Sequence, residues 1–167
     1  TENLLPYDDT VDPLRLVADE AKRLGGKGKI GVEMDSNFLT VNRFRRLSEY
    51  LGRAEVVDAT SIVLEERKVK SSQEVEAVRG AARMVSVAME RAVAAIEPGR
   101  TENDVASAIF DSLVQEGSGF LAMEPYINSG PRTGSRHAIW SGRVLGEIEA
   151  VRSEIGGAVH GYHGARM

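Results

Sequence analysis

The stretch from Ser71 to Gly99 constrains the fold most, because it contains the start, the body and the end of one long helix. Ser71 and Glu74 have the spacing of a capping box, in which the two side chains accept hydrogen bonds from each other's backbone N–H groups. The segment predicts an amphipathic helix that ends near Glu97, before Pro98-Gly99. Its inward stripe consists of apolar residues three or four positions apart: Val75, Val78, Ala82, Val85, Met89, Ala92 and Ile96.

A second helix is predicted directly after the first, because Thr101 and Asp104 repeat the capping pattern. Gly117 is the expected end of this helix. The residues expected to face the core are Val105, Ile109 and Leu113.

The sequence after Gly119 changes from helical spacing to shorter segments that are rich in turn residues. FLAMEPYINSG predicts a strand that runs into a turn, and EIEAVRSEIGGAV alternates weakly, as a strand does. GPRTGSRHAIWSGRVL lies between them, and its content of Gly, Ser and Arg predicts a loop. Two helices followed by strands are typical of an α+β domain.

The beginning of the chain alternates helix and strand signals, which predicts an α/β unit. These signals give way to the long helix near Arg67 to Lys70, so we place a boundary between domains of residues 1–68 and 69–167. The predicted segments are a helix from Pro13 to Gly25-Gly26, a strand at 29–33, a helix at 41–51 with Val41, Phe44, Leu47 and Leu51 inward, and strands at 54–59 and 61–66.

The composition disfavours several classes of function. The chain has no cysteine, which excludes a disulfide framework, a thiolate zinc site and a cysteine nucleophile, and which fits a cytoplasmic protein. A formal net charge of -4 with mixed signs disfavours a nucleic-acid partner held by phosphate contacts. No apolar run approaches the roughly 18 residues of a membrane helix, so no membrane partner is expected.

Three histidines and one glutamate are candidates for chemistry. His137, in the loop, is either a group that moves protons near neutral pH or an exposed loop histidine. Glu154 is either the carboxylate of a site or part of an edge strand with one wet face. His160 and His163 would point to opposite faces of a strand, so they cannot easily share one metal ion.

The order and spacing of these motifs resemble the pita-bread hydrolase family, which includes aminopeptidase P, prolidase, methionine aminopeptidase and creatinase. The helical region matches the family's Lys-Ser-x-x-Glu junction, Pro-Gly and Thr-Glu, and the loop matches its Ser-Gly-Pro segment, histidine and Arg-Val. GVEMDSNFLT and VVDAT look like the tail of a creatinase-type N-terminal domain. The matching residues are Lys70, Ser71, Glu74, Val75, Arg79, Pro98, Gly99, Thr101, Glu102, Gly130, Pro131, His137, Arg143 and Val144.

The resemblance implies the end of a creatinase-type N-terminal α/β domain, followed by the first half of a pita-bread domain with two long helices and then antiparallel strands. It also implies a fragment of a longer enzyme, because the family's domain is much longer than the part after Lys70 and carries later histidine and glutamate ligands. A homodimer is expected from the family.

The family's metal enzymes bridge two metal ions with the aspartates of Asp-x-Gly and Ser-Asp. In this sequence Glu154-Ile155-Gly156 falls on Asp-x-Gly and Gly164-Ala165 falls on Ser-Asp, so the ligand positions hold glutamate and alanine. Alanine has no donor atom, and sites with oxygen ligands need several carboxylates in fixed geometry. This departure resembles the metal-free branch of the family, which contains creatinase and the ectoine hydrolases.

The resemblance to that branch implies a hydrolase without metal or other cofactor, which cleaves a C–N bond of a small substrate of the ectoine or creatine type. His137 is then the expected proton-transfer residue and Glu154 the general base or nucleophile, with Trp140, Tyr162 and His163 as substrate contacts. Two alternatives stay open. One is a metal-dependent Xaa-Pro aminopeptidase or dipeptidase in which Glu154 binds Mn, Co or Fe, and the other is a non-catalytic binding protein with the same fold.

Overall fold

The computed structural model describes residues 4–25 and 28–167, and the chain forms two compact units, Thr1–Val69 and Lys70–Met167. Gly26, part of the predicted end of the first helix, lies outside the described residues. The first unit contains α1 (Pro13–Gly25), β1 (Lys29–Val32), α2 (Val41–Leu51), β2 (Glu55–Asp58) and α3 (Thr60–Glu66). The second contains α4 (Ser72–Ala95), α5 (Glu102–Gln115), β3 (Leu121–Ser129), a short 3-10 helix (Gly130–Gly134), β4 (Val151–Val159) and β5 (Tyr162–Arg166).

The first unit packs two helices against a parallel pair of strands, in which Lys29 lies opposite Glu55. Asp12 caps α1 by accepting from the N–H of Leu14 at 3.2 Å, and it accepts from the Tyr50 hydroxyl on α2 at 2.7 Å. The small core of this unit is formed by Ala18, Leu47 and Leu51. Val41 was expected inward but is exposed, because it begins α2 and only the later turns of that helix reach the core.

The predicted strand at 61–66 is wrong, since α3 occupies Thr60–Glu66. Its β-branched residues favoured a strand in the sequence, but Ile62 and Val63 are exposed, so packing on a sheet does not select the extended form. Asp58, at the end of β2, accepts hydrogen bonds from the N–H and the hydroxyl of Thr60 at 2.9 and 2.6 Å. This local turn directs the chain into a helix.

Both predicted capping boxes are present, Ser71 with Glu74 at the start of α4 and Thr101 with Asp104 at the start of α5. The expected inward face of α5 is confirmed, because Val105, Ile109 and Leu113 are fully buried. These capping contacts act within a few residues, which explains why the sequence alone located the two helix starts.

The buried face of α4 differs in part from the prediction, because Val85 and Ala92 are buried but Ala82 is exposed. The strands cross this helix at very short range: a Cβ added to Gly164 of β5 would lie 2.6 Å from the carbonyl carbon of Ala81. Close contact with the sheet selects a face made mainly of alanines. That face consists of Ala81, Met84, Val85, Ala88, Ala92 and Ala95.

The second unit contains an antiparallel sheet in the order β3-β4-β5, so β4 is its central strand. One face packs on α4 and α5: Ile155 is fully buried, and a Cβ added to Gly157 would contact Met84, Val85 and Leu113. We call the opposite side the open face. Because side chains alternate along a strand, the open face carries Tyr126 and Asn128 of β3, Arg152 and Glu154 of β4, and His163 and Ala165 of β5.

In the described part of the chain, no helix is both long enough and apolar enough to span a bilayer.

Candidate active site on the open face

Glu154 lies on β4 and directs its side chain to the open face of the sheet. The edge-strand interpretation of this residue is wrong, because β4 pairs with a neighbouring strand on each side. The side chain is 21% exposed, which leaves the carboxylate within reach of a small molecule. Directly opposite on β3 lies Tyr126.

His137 lies in the loop of residues 130–145, here called the His137 loop, in an exposed turn after the 3-10 helix. Its ring packs on the ring of Tyr126, with the two centroids 5.1 Å apart. Since Tyr126 is also the cross-strand neighbour of Glu154, both candidate catalytic side chains adjoin the same tyrosine. The fold therefore brings His137 and Glu154 to one side of the sheet.

Arg152 connects these two groups. Its Nη2 lies 3.3 Å from Oε2 of Glu154, two residues along the same strand, and its Nη1 donates to the carbonyl oxygen of Arg136 at 2.5 Å. Arg136 directly precedes His137, so one guanidinium contacts both the site carboxylate and the backbone beside the histidine.

Glu102, the first residue of α5, is fully buried and joins Ser129, just before the His137 loop, to Ser141 within it. Its Oε1 accepts hydrogen bonds from the N–H and the hydroxyl of Ser129 at 2.8 and 2.7 Å. Its Oε2 accepts from the N–H and the hydroxyl of Ser141 at 2.9 and 3.0 Å, and from the guanidinium of Arg132. One carboxylate thus closes the loop at its base.

The pKa of Glu102 reflects two opposing effects. Burial raises the pKa, but hydrogen bonds from Ser129 and Ser141 and the charge of Arg132 outweigh burial, so the pKa lies below its ordinary value. Glu102 is therefore ionised at neutral pH. Its hydrogen bonds to the loop are stronger in this form than in the protonated form, because the acceptor carries a charge.

Asn128 holds the middle of the loop. Its side-chain amide donates to the carbonyl oxygens of Ser135 at 3.1 Å and Ala138 at 3.4 Å, on either side of His137. Among the described residues, its buried Oδ1 has no hydrogen-bond partner.

Arg143 and Glu149 form a two-bond ion pair, with both N–O distances 2.6 Å, that packs against the start of the loop. A Cβ added to Gly130 would lie 2.5 Å from Glu149 Oε2 and 2.7 Å from Arg143 Nη2, and the φ angle of Gly130 is 52°. Both the close approach and the left-handed backbone explain a glycine at this position.

The three predicted substrate contacts lie in different surroundings. His163 lies on the open face, exposed, with its ring centroid 5.9 Å from that of Phe120. Trp140 packs edge-on against Phe110 at 5.6 Å beside the core. Tyr162 faces the helices and donates its hydroxyl to Glu74 at 2.8 Å, which gives it a role in packing β5 on α4.

The histidine pair does not share a strand: His160 lies in the β4–β5 turn with a φ of 50°, and His163 lies in β5. Three residues of the site were not singled out from the sequence, namely Tyr126, Arg152 and Glu102 as the loop anchor. For Arg152 a signal existed, because an arginine two positions before Glu154 shares its face of a strand. For Tyr126 the sequence contains no such signal, because strand register decides what it opposes.

Two positions of the open face bear on metal binding. Gly156 pairs with Ala165, so Glu154 and Ala165, which fall on the two metal-binding aspartates of the resembled family, share this face on adjacent strands. Ala165 offers no donor atom, and the guanidinium 3.3 Å from Glu154 repels a divalent cation. Within residues 4–25 and 28–167, no three His, Asp or Glu side chains are grouped so that they could hold a metal ion.

Known proteins resemble this chain over both units. The model of metallopeptidase family M24 matches residues 76–166, more than half of the chain, and that of the creatinase/prolidase N-terminal domain matches residues 1–69. The ectoine hydrolase of Halomonas elongata is 28% identical over 146 residues, which cover 82% of this chain and 37% of that protein. The probable dipeptidase PepE of Mycobacterium tuberculosis is 36% identical over 118 residues, which cover 70% of this chain and 31% of that protein.

The crystal structure of dipeptidase PepE from Mycobacterium ulcerans matches with a TM-score of 0.72 and 31% identity, over 96% of this chain and 42% of that one. The chain spans about a third to two fifths of the length of the curated relatives it matches. The expected fold class, a creatinase-type N-terminal domain followed by helices and antiparallel strands of a pita-bread domain, is confirmed. By these matches, the chain belongs to metallopeptidase family M24.

Proposed function

We propose that this protein is a hydrolase that cleaves a C–N bond in a small amino-acid-like substrate of the ectoine or creatine type, without a metal ion. The observation that supports the proposal most is the arrangement at Tyr126, which adjoins both His137 and Glu154 on the open face. A proton-transfer group and a carboxylate on the same side of a sheet suit acid–base hydrolysis. The similarity to an ectoine hydrolase supports the substrate class.

In the proposed reaction Glu154 accepts a proton from water, and the water oxygen bonds to the amidine- or guanidine-type carbon. Protonated His137 donates its proton to the leaving nitrogen as the C–N bond breaks. One water is consumed by the protonated amidine or guanidine: its oxygen stays on carbon and forms the C=O bond of the product as the C–N bond breaks. Its second proton passes to solvent with the one on Glu154, and solvent restores the proton of His137. In the other possible route Glu154 attacks the carbon itself, and water hydrolyses the resulting ester-like intermediate.

The absence of metal from this proposal rests on the donor set of the open face. Ala165 has no donor atom at one of the two ligand positions, and Arg152 is the charged partner of Glu154 at the other. The guanidinium of Arg152 lies beside the Glu154 carboxylate, where a metal ion would bind. It supplies the positive charge that a divalent cation would otherwise supply.

A metal-dependent dipeptidase acting on Xaa-Pro substrates is the second candidate. The similarity to the PepE dipeptidases favours it, since their identity to this chain exceeds that of the ectoine hydrolase. In that case Glu154 would be a ligand of Mn, Co or Fe, and the ligands missing from the open face would have to come from elsewhere.

The first experiment separates the two candidates by metal dependence. Protein produced from its complete gene is assayed with ectoine, creatine and a Xaa-Pro dipeptide, before and after dialysis against EDTA, and its metal content is measured. We expect turnover of an ectoine- or creatine-type compound that EDTA leaves unchanged, with no stoichiometric metal. Turnover of the Xaa-Pro dipeptide that EDTA abolishes and Mn, Co or Fe restores would contradict the proposal and support the dipeptidase.

The second experiment tests the assigned residues. His137→Ala and Glu154→Gln should each lower kcat by about 10²–10⁴-fold, the usual contribution of a positioned acid or base. His160→Asn is the matched control, because His160 is an exposed histidine in the β4–β5 turn and asparagine tolerates its positive φ. Equal activity of His137→Ala and the control would refute the role of His137, and a non-catalytic protein would show no turnover in any variant.

A further inference from the structure

We propose that Arg152 is a positioning residue for this reaction, whose guanidinium fixes the Glu154 carboxylate relative to the backbone that carries His137. This inference rests on the proposed function, because it assigns Arg152 a role between the two groups to which that function gives the chemistry. Arg152 itself neither accepts nor donates the transferred proton.

The contacts of Arg152 with oxygen atoms go to two different segments, and its Nη2 also lies 3.8 Å from Sδ of Met167. One terminal nitrogen lies 3.3 Å from Glu154 Oε2 on β4, and the other donates to the carbonyl oxygen of Arg136 at 2.5 Å in the His137 loop. The arginine side chain is 28% exposed and that of Glu154 is 21% exposed, so the pair is partly shielded from water, which strengthens it relative to a surface pair.

The strand next to β4 extends this arrangement. Asn128 of β3 lies directly opposite Arg152, and its amide donates to the carbonyl oxygens of Ser135 and Ala138. Together the two side chains hold the carbonyls of three residues around His137, at positions 135, 136 and 138. A histidine in an exposed turn is thus held from the open face of the sheet, on the side where Glu154 lies.

The residue type matters because the two contacts need two separated donors. A guanidinium presents its terminal nitrogens in a rigid planar fork and can bond both partners at once. A lysine ammonium is a point charge on a flexible stem, and it can reach the carboxylate or the carbonyl but does not hold both in a fixed relation. Replacing the guanidinium should therefore disturb the orientation of Glu154 relative to His137 more than it weakens substrate binding.

The kinetic experiment uses protein from the complete gene and the substrate identified above. Arg152→Met should lower kcat at least tenfold and leave KM within about twofold, and Arg152→Lys should recover only part of kcat. Arg166→Met is the control, because Arg166 is an exposed arginine on the helix-facing side of β5. A rise in KM without loss of kcat would overturn the proposal and identify Arg152 as a substrate-binding residue, and unchanged kinetics would overturn it outright.

A second readout does not depend on turnover. The ring resonances of His137 should be shifted by the Tyr126 ring 5.1 Å away, and ¹³C-labelled histidine with His137→Ala for assignment would identify them. In Arg152→Met these resonances should move toward those of an exposed histidine, while Arg166→Met leaves them in place and circular dichroism shows both variants folded. Unchanged His137 resonances in Arg152→Met would overturn the proposal. If no substrate is turned over, the proposed function fails, but these resonances still decide whether Arg152 holds the loop.

Discussion

Among single residues, the loop anchor Glu102 should have a large effect on the candidate site, because it closes the loop that carries His137. Glu102→Ala should lower the free energy of unfolding by about 3 kcal/mol, the lower end of the range for breaking a buried charged pair. The lower end of the range applies because the Arg132 side chain is 32% exposed and can be hydrated in the variant. The remaining cost arises because the N–H groups of Ser129 and Ser141 lose their acceptor. Urea denaturation followed by circular dichroism measures the change.

The control for Glu102 is Glu90→Ala, which removes an exposed glutamate from α4 and should change the stability by less than about 0.5 kcal/mol. Hydrogen exchange offers a local check, since residues 130–145 should exchange faster in Glu102→Ala than in Glu90→Ala. Equal stability of the two variants would mean that the loop is held mainly by Asn128 and by Arg143 with Glu149.

Between elements, β5 lies very close to the backbone of α4. A Cβ on Gly164 would meet the backbone of Ala81 and Ala82 at 2.6 to 2.7 Å, and backbone atoms cannot move aside as a flexible side chain can. Gly164→Ala should therefore lower the free energy of unfolding by about 3 kcal/mol, the upper end of the usual overpacking range. The measurement is the urea midpoint.

Gly119→Ala is the matched control for this contact, because a Cβ at Gly119 would have no atom within 4 Å among the described residues and its φ is not positive. Its stability should be unchanged or slightly higher, since alanine lowers the entropy of the unfolded chain. If Gly164→Ala were as stable as this control, β5 would have to lie further from α4 than it does here.

At the scale of the whole molecule, the carboxylates that hold elements together predict sensitivity to acid. Backbone and side-chain hydrogen bonds from Ser71, with that of the Tyr162 hydroxyl, lower the pKa of Glu74 to about 2. The pKa of Asp104 is lowered by Thr101, and that of Glu149 is lowered by Arg143. Each group has a lower pKa in the folded than in the unfolded chain, so the folded state binds fewer protons in acid.

These groups contribute their full stability above the unfolded pKa values, about 4.3 for Glu and 3.9 for Asp, and lose it as pH falls through the folded values. The free energy of unfolding should therefore fall between about pH 5 and pH 2 and should not change through these groups between pH 5 and pH 7. Glu74→Gln should make the acid dependence shallower. Urea midpoints measured across this range give the slope, and a midpoint that stays constant from pH 5 to pH 3 would contradict the prediction.

The candidate site was only partly accessible to sequence reasoning. His137 and Glu154 were singled out from residue type and position, and a family resemblance then assigned their roles, but no local pattern indicated that they approach each other. Their common neighbour Tyr126 depends on the register of β3 on β4, which contains two irregularities between Leu121 and Tyr126. A shift of one residue would send Tyr126 to the opposite face, and no pattern in the sequence fixes that register.

What the sequence determined by itself is local. The starts of α4 and α5, the inward face of α5 and the order of two helices before the strands follow from capping and periodicity, which act within a few residues. Tertiary structure alone decided that α4 turns Ala81 rather than Ala82 to the sheet, and that Arg152 and Glu102 hold the His137 loop. Those features depend on contacts between residues far apart in the chain, and packing of the folded molecule selects them.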